Sequence, residues 1–446
     1  MFKFESKLND LKQLQFYKKK VIEIMVNYKV ADETLAEKGK EALYIAENKM
    51  PVTAKVIRER FSKEKPLKGI TIAGCLHITK ETGNLARTLK AGGAEVYLCG
   101  SNPLSTQDDV SAALVQEGIN VFAWHGNTDE EFYWCIRQCL KAKPNILIDD
   151  GADMIVTAHQ EFPELISEGI IIGCQEETTT GVKRFKAMEK QGVLKVPLFP
   201  VNDARCKNQF DNELGTGQGV VSAIYGMHVL FAGKNVVIAG YGHCSSGMAL
   251  RAKGLGANVT VTEVDPIKAL QAKFAGYNIK PILETLKDAD IILTATGCKH
   301  VIPPEPKVFE NFKDGVILGN LGHFDIEIPT RELYEYAKEI KPVRKDVEEL
   351  IFPSGKKVYL LAKGRLANLV LSEGHPSEVM DMSFALQSLM SEYIVKNKGT
   401  FKVGLVDIPT DIDDQVGFLK LISMGIEIDT LTEDQYNYIH GYEEGT

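Results

Sequence analysis

From Gly69 onward, short apolar runs alternate with longer stretches of mixed apolar and polar residues. The runs are Ile70-Thr71-Ile72-Ala73, Glu95-Val96-Tyr97-Leu98, Asn120-Val121-Phe122-Ala123, Asn145-Ile146-Leu147-Ile148 and Ile170-Ile171-Ile172. Such strands separated by helical segments predict a doubly wound parallel sheet. A second set follows at Val236-Val237-Ile238-Ala239, Asn258-Val259-Thr260-Val261-Thr262, Ile291-Ile292-Leu293-Thr294, Val316-Ile317-Leu318 and 356–362. Ahead of both, Lys18-Lys19-Lys20 and the apolar Val21-Ile22 and Ile24-Met25-Val26 predict an amphipathic helix over 1–27, a solvated cover or an oligomer contact. Helices are expected over Leu35–Met50, stopped by Pro51, then to about Lys65 before Pro66, and over Met380–Lys396 after a glycine-bounded loop, 364–374. The expected architecture is α/β, with two doubly wound parallel-sheet domains and a small C-terminal tail domain.

The stretch Lys234–Glu263 carries the most specific local signal. A β-branched run ends in Gly240-Tyr241-Gly242, a helical segment follows to Gly256, and the next β-branched run closes on Glu263. This is the strand–turn–helix–strand of a dinucleotide site: glycines let backbone approach a pyrophosphate, the helix N-terminus offers free N–H groups, and the acid accepts from a ribose 2′-hydroxyl. Glu263 would repel a 2′-phosphate, which favours NAD over NADP. The third glycine position holds Ser245, with glycine only at Gly247.

At 446 residues, with 44% hydrophobic and 25% charged residues, the chain is long enough for two or more cores. A net charge of −8 gives no footprint for nucleic acid or an anionic membrane. No apolar run reaches membrane-spanning length and the N-terminus lacks a signal peptide's apolar core, so a cytoplasmic protein with small-molecule ligands is expected. Eight dispersed cysteines with no Cys-x-x-Cys pair suggest reduced thiols and no metal site, with Cys135 and Cys139 packing on one helix face.

In open α/β sheets ligands bind at the carboxyl ends of strands, so polar residues there matter most. They are His77 and Thr79, Asn102, Asp149 and Asp150, and Glu176-Glu177-Thr178-Thr179-Thr180. Any one of these can be a cap or a satisfied core group; several converging are harder to dismiss. Asn202 or Asp203 can cap a helix that places Lys207 and Asp211 on one face. An isolated pair of that kind is ordinarily a surface ion pair, but here it lies where an interdomain cleft should be. Gly215–Gly219 reads as a hinge, and His323 lies at the nicotinamide end of the second sheet.

Together these segments resemble the S-adenosyl-L-homocysteine hydrolase family from about Tyr28 to Gln435. The resemblance is carried by Gly74-Cys75-Leu76-His77-Ile78-Thr79, Ser105-Thr106-Gln107-Asp108, Asp149-Asp150-Gly151, Glu176–Gly181, Phe210-Asp211-Asn212, Gly240-Tyr241-Gly242, Gly322-His323-Phe324-Asp325 and Gly364–Leu369. It implies a homotetramer with tightly held NAD that splits S-adenosylhomocysteine reversibly into adenosine and homocysteine. The cofactor would oxidise the ribose 3′-hydroxyl, which acidifies the C4′ proton and permits loss of homocysteine and addition of water before hydride returns.

The resemblance also implies roles by position. Lys207, with a depressed pKa, would be the base at the 3′-hydroxyl, oriented by Asn202, with Asp211 and Glu177 on the ribose hydroxyls. Asp150 and His77 would handle the C4′ proton and the leaving group or water, with His323 near the reacting ribose. Thr79, Glu81 and His375 would form the adenine pocket. Cofactor contacts would come from Thr178, Thr179, Thr180, Asn212, Gly240, Gly242, His243, Cys244, Ser245, Glu263, Asn320 and Asn368.

The domains expected are 1–202 for substrate, completed by 376–405; a hinge, 203–217; a Rossmann NAD domain, 218–373; and an oligomerisation segment, 406–446. Ser245 and the absence of a Lys/Tyr-bearing tail depart from the family pattern. Competing readings are a hydrolase of S-inosylhomocysteine, a catalytically idle NAD-binding regulator and a 2-hydroxy-acid dehydrogenase.

Overall fold

The computed structural model describes residues 28–442 and 444; the helix expected over 1–27 lies outside them. The first sheet contains β1 (Thr71–Cys75), β2 (Glu95–Cys99), β3 (Asn120–Phe122), β4 (Ile146–Asp149), β5 (Gly173–Glu176) and β6 (Pro197–Phe199). The second contains β7 (Asn235–Ala239), β8 (Asn258–Thr262), β9 (Asn278–Ile279), β10 (Ile291–Thr294), β11 (Val316–Asn320), β12 (Glu339–Arg344), β13 (Val347–Ile351) and β14 (Lys357–Leu361). A last short strand, β15 (Gly404–Leu405), returns to the edge of the first sheet. The orders are β15-β6-β5-β4-β1-β2-β3 and β12-β13-β14-β11-β10-β7-β8-β9. Each sheet changes direction once, between β1 and β4 and between β7 and β10, and those switch points are where open sheets form ligand crevices.

Successive residues of the central strands enter different cores. Ile72, Leu98 and Ile146 pack on one face of the first sheet and Ala73, Cys99 and Leu147 on the other. Val236, Ile238 and Leu293 lie on one face of the second sheet and Val237, Ile292 and Leu318 on the opposite one. Burial on both faces explains why these strands read as apolar runs rather than alternations.

Two local expectations, a strand and a helix cap, are corrected, and two others gain detail. Ile170–Ile172 is not a strand: β5 begins at Gly173, in register with Ile146, and ends with Glu176 beside Asp149. Its buried polar residues, Gln175 and Glu176, hid it from the apolar pattern. The second sheet is mixed, because β12 and β13 add antiparallel to β14. β12 is exposed along its length, contains Pro342 and bulges, so it has no apolar signature.

The glycines expected to form a hinge lie in a helical run: Arg205–Lys207, π-helical Asn208–Gly215, then Thr216–Tyr225. Gly215 is pressed against His375, and Gly219 against the Asn368 side chain and Gly374. Neither position has room for a side chain. Finally, neither Asn202 nor Asp203 caps this run; the Asp413 carboxylate does, accepting from the backbone N–H groups of Arg205 and Cys206 at 2.9 Å each.

The helix Ser377–Lys396 crosses back from the second sheet to pack its apolar face into the first domain's core. It is anchored by buried Asp381, which accepts from the backbone of Thr53 at 2.8 Å and from Lys420 Nζ at 2.8 Å.

Gly247, not the Ser245 position, provides the close approach of the cofactor-domain helix His243–Gly254 to its neighbour. A Cβ at Gly247 would lie 1.8 Å from the Glu213 carbonyl oxygen, whereas one at Gly254 would meet nothing. Gly247→Ala should therefore cost about 1–3 kcal/mol by overpacking, seen as a lower melting temperature, while Gly254→Ala melts like the parent. Equal melting of the two variants would show that the helices can part freely.

Candidate active site

A cavity of about 1020 Å³ lies between the carboxyl ends of the two sheets and takes its walls from both. From the first sheet come His77 and Thr79 after β1, Asp150 after β4, and Glu177 with Thr178–Thr180 after β5. The second contributes Gly240–Cys244 after β7, Glu263 after β8, the loop 295–301 after β10 and His323 after β11. Lys207, Asp211 and Asn212 enter from the helical run between the sheets, and Asn368 and His375 from the segment leading back.

Two polar clusters occupy this space. In the first, Lys207 Nζ lies 3.1 Å from Glu177 Oε1, 3.4 Å from Asp211 Oδ2 and 2.7 Å from Asn212 Oδ1. Lys207 and Asp211 are buried, so the bland surface-pair reading of their spacing fails. Asp211 also accepts from Ser383 Oγ at 2.8 Å and pairs with His375 Nδ1. The Gln387 amide donates to the other Glu177 oxygen, Oε2. Asn202 is not on the wall; it stands behind, its Oδ1 accepting from Asn212 Nδ2 at 2.9 Å and Thr179 Oγ1 at 3.2 Å.

One cation among several carboxyls decides the protonation pattern. Burial alone would lower the Lys207 pKa, but Asp211, Glu177 and Asp150 outweigh it and hold the ammonium well above its ordinary range. The expected depressed value is thus reversed. Asp211 opposes burial with Lys207 and His375 beside it and stays ionised, its pKa far below the ordinary carboxylate range. Glu177 is pushed up to about 8, by burial first and then by the Asp211 and Asp150 charges, despite Lys207.

In the second cluster, Asp150 lies between two imidazoles, 3.3 Å from His77 Nε2 and 3.4 Å from His323 Nδ1. Burial lowers His77 to about 3 and His323 to about 4, so both rings are neutral at pH 7. Burial raises Asp150. Ser105 Oγ, 2.7 Å from His77 Nδ1, fixes that ring. Among the described residues these three are also the one His/Cys/Asp/Glu group whose ligand atoms lie within 4.8 Å of one another, a spacing that suits proton exchange as well as metal ligation.

The remaining walls fit a dinucleotide. Gly240 has φ +95°, and a Cβ there would lie 2.9 Å from the Ala295 carbonyl oxygen, while the space beside Gly242 is open. Glu263 closes β8 and accepts from Tyr241 N at 2.7 Å and Val264 N at 2.8 Å, which places its carboxylate on the cavity wall. Asn368 is fully buried on the wall, and both its amide atoms lack a hydrogen-bond partner, as expected of a group that meets a polar ligand. Asn320 and Ser245 do not reach the cavity. Asn320 donates to the carbonyls of Gly322, Phe324 and Gly364 at 2.7–3.0 Å, and Ser245 donates to Gly242 O at 3.2 Å. Both shape the walls from behind.

Thr79 and Glu81 lie together on the wall, where Thr79 caps its helix and Glu81 Oε1 accepts from Ser377 Oγ at 2.5 Å. Sequence reasoning missed Ser377, Ser383 and Gln387. Their one signal is a stripe of buried polar residues in an otherwise apolar helix, and it needs the fold to show what they face.

These features define a two-domain α/β enzyme whose second domain binds NAD. Residues 27–168 match the family model described as S-adenosyl-L-homocysteine hydrolase, and residues 212–374 that of its NAD binding domain. The chain belongs to the S-adenosyl-L-homocysteine hydrolase family. It is 51% identical to the adenosylhomocysteinase of Saccharolobus solfataricus over 94% of this chain and 100% of that one. The Aquifex aeolicus adenosylhomocysteinase is also 51% identical, over the same shares of the two chains. The S-inosyl-L-homocysteine hydrolase of Methanopyrus kandleri is 49% identical, over 94% of this chain and 98% of that one. Among the described residues no helix is long and apolar enough to cross a membrane.

Because burial depresses both ring pKa values, neither His77 nor His323 should gain a proton between pH 8 and about 5. The sign for stability follows: the unfolded chain takes up these protons near pH 6.5 and the folded one does not, so their contribution is lost as pH falls below about 6.5. Histidine resonances assigned by His77→Gln and His323→Gln should stay flat over that interval; a midpoint above pH 6 would contradict the burial argument.

Proposed function

We propose that this enzyme reversibly hydrolyses S-adenosyl-L-homocysteine to adenosine and homocysteine. The observation that carries the reading is the presence of two separate proton-handling clusters, Lys207–Glu177–Asp211 and His77–Asp150–His323, in one cavity beside an NAD-binding wall. A direct displacement at a thioether needs only one such cluster; a route through a ribose ketone needs one for the hydroxyl and one for the C–H. NAD, held by the Gly240–Gly242 turn, Glu263 and Asn368, would supply a hydride acceptor for the ribose 3′ carbon.

The chain's own groups handle the protons. Lys207 is protonated, so it becomes a base only by passing its proton on, and the acceptor is the ionised form of Glu177, 3.1 Å away, a minority at neutral pH. Lys207 then takes the 3′-hydroxyl proton. With Glu177 pushed up to about 8, this step should accelerate as pH rises toward that value. Asp211, ionised and held by Ser383, accepts from a ribose hydroxyl. Asp150 receives the C4′ proton, and neutral His77 and His323 exchange protons with the leaving sulfur and the entering water. The exposed apolar residues on the helices Thr410–Ser423 and Glu433–His440 and between them, among them Ile422, Met424, Leu431, Tyr436 and Ile439, support an oligomer, in keeping with the homotetramer expected above.

Purified protein mixed with adenosine, with no nicotinamide added, should develop bound-NADH absorbance. Lys207→Ala should lower that rate by on the order of a hundredfold or more, whereas Asp150→Asn or His77→Ala should still form NADH and stall later. Wild-type NADH formation by Lys207→Ala would remove Lys207 from its role.

A second reading, S-inosyl-L-homocysteine hydrolysis, is kept open by relatives of nearly equal identity. Glu81 speaks against it. A buried carboxylate accepts from an exocyclic amino group but opposes the inosine carbonyl; Lys80 Nζ, 3.6 Å from Glu81 Oε1, offsets part of that charge while lying closer to Glu373, at 2.7 Å. A site built for one edge can reject the other by up to about 10⁴-fold. The kcat/KM ratio of the two substrates should favour the adenosyl compound and shrink or reverse in Glu81→Lys. The same ratio in both proteins would leave Glu81 as no more than a first-turn helix residue.

A further inference from the structure

The helix Ser377–Lys396 carries three polar residues at successive turns, Ser383, Gln387 and Ser391, all fully buried. At spacing i, i+4, i+8 they share one face. Ser383 donates to Asp211, Gln387 donates to Glu177, and Ser391 accepts from Gln175 Nε2 at 2.9 Å. Burying three polar side chains on a core-facing helix is costly unless each is satisfied. One is only half satisfied: Gln387 Oε1 is buried without a partner. A serine hydroxyl donates and accepts through one oxygen; the amide does so through separate atoms, at the end of a side chain long enough to reach Glu177.

We propose that Gln387 is a positioning residue that lets Glu177 act as the proton acceptor for Lys207, by donating to the ionised carboxylate and, after the amide turns over, accepting from the protonated acid. The proposal rests on the reading of Glu177 given above. Glu177 is faced by Lys207 and by the Asp211 and Asp150 carboxyls, and Gln387 is its neutral neighbour. Lys207 engages Oε1 and leaves Oε2 to Gln387. The two carboxyls oppose ionisation, so a donor at Oε2 shifts the balance toward the form that can take a proton. The amide also keeps a partner for Oε2 once the proton has arrived.

The test is the pH profile of bound-NADH formation on mixing with adenosine. Gln387→Met, similar in length but without a donor, should move the midpoint of the rise upward by roughly one to two pH units, a ten- to hundredfold loss at pH 7 that largely recovers in alkali. Gln387→Leu, which also removes the donor, should move it the same way and covers the case in which the Met variant does not fold. Ser391→Ala, which touches neither Glu177 nor Asp211, should keep the wild-type profile.

An activity-independent check is the infrared carbonyl band of protonated Glu177, assigned by its loss in Glu177→Gln, which should titrate at higher pH in Gln387→Met. A uniform loss at every pH, or no change in the folded variants, overturns the role of Gln387. Wild-type NADH formation by Glu177→Gln would instead overturn the reading of Glu177 itself.

Discussion

One buried ammonium among three carboxyl groups is the constraint from which the chemistry of this cleft follows. Lys207 can neutralise one of them well, and the surrounding donors decide which. His375 and Ser383 both serve Asp211, which therefore carries the charge, while Glu177 and Asp150 are pushed toward their neutral forms. Isolated buried ions are expensive, and a cluster with one cation and one firmly held anion limits that cost. What remains is a pair of carboxyls raised above their ordinary range, Glu177 to about 8, which brings Glu177 close to the pH at which protons move with least penalty.

The fold delivers these groups from unrelated parts of the chain. The tips of β1, β4 and β5 bring His77, Asp150 and Glu177; the helical run after β6 brings Lys207 and Asp211; the returning helix Ser377–Lys396 brings the neutral donors. Asp413, from the last part of the chain, fixes the start of the Lys207 segment by accepting from two backbone N–H groups. The segment that carries Lys207 is therefore held by a residue more than two hundred places away, with separations of 208 and 207 residues for the two bonds.

Much of this was legible without coordinates. Apolar runs located most strands, and the polar residues at their ends located the cleft, because a strand buried on both faces leaves its chemistry at its tip. Legibility failed where polarity and burial coincided. β5 was displaced by a few residues because Gln175 and Glu176 are buried polar strand residues, and Gln387 was silent because its importance lies in what it faces. Asn320 shows the reverse failure: its position matched a cofactor contact, yet its amide is consumed by three backbone carbonyls. Gly215 and Gly219 read as flexible because composition does not reveal crowding.

The cluster around Asp150 has one further property: its members belong to different sheets. His77 and Asp150 ride on the first, His323 on the second, and the 3.4 Å contact between Asp150 and His323 spans the boundary, alongside Lys183 to the Thr296 carbonyl at 3.1 Å and Lys80 to Glu373 at 2.7 Å. Separation of the two halves by even the width of a water molecule would dismantle the proton circuit in the same motion that admits solvent. On the proposed route, a ribose ketone would be kept from bulk water whenever the groups assigned to it are assembled, so that the architecture would act as an interlock in which access and reactivity exclude one another.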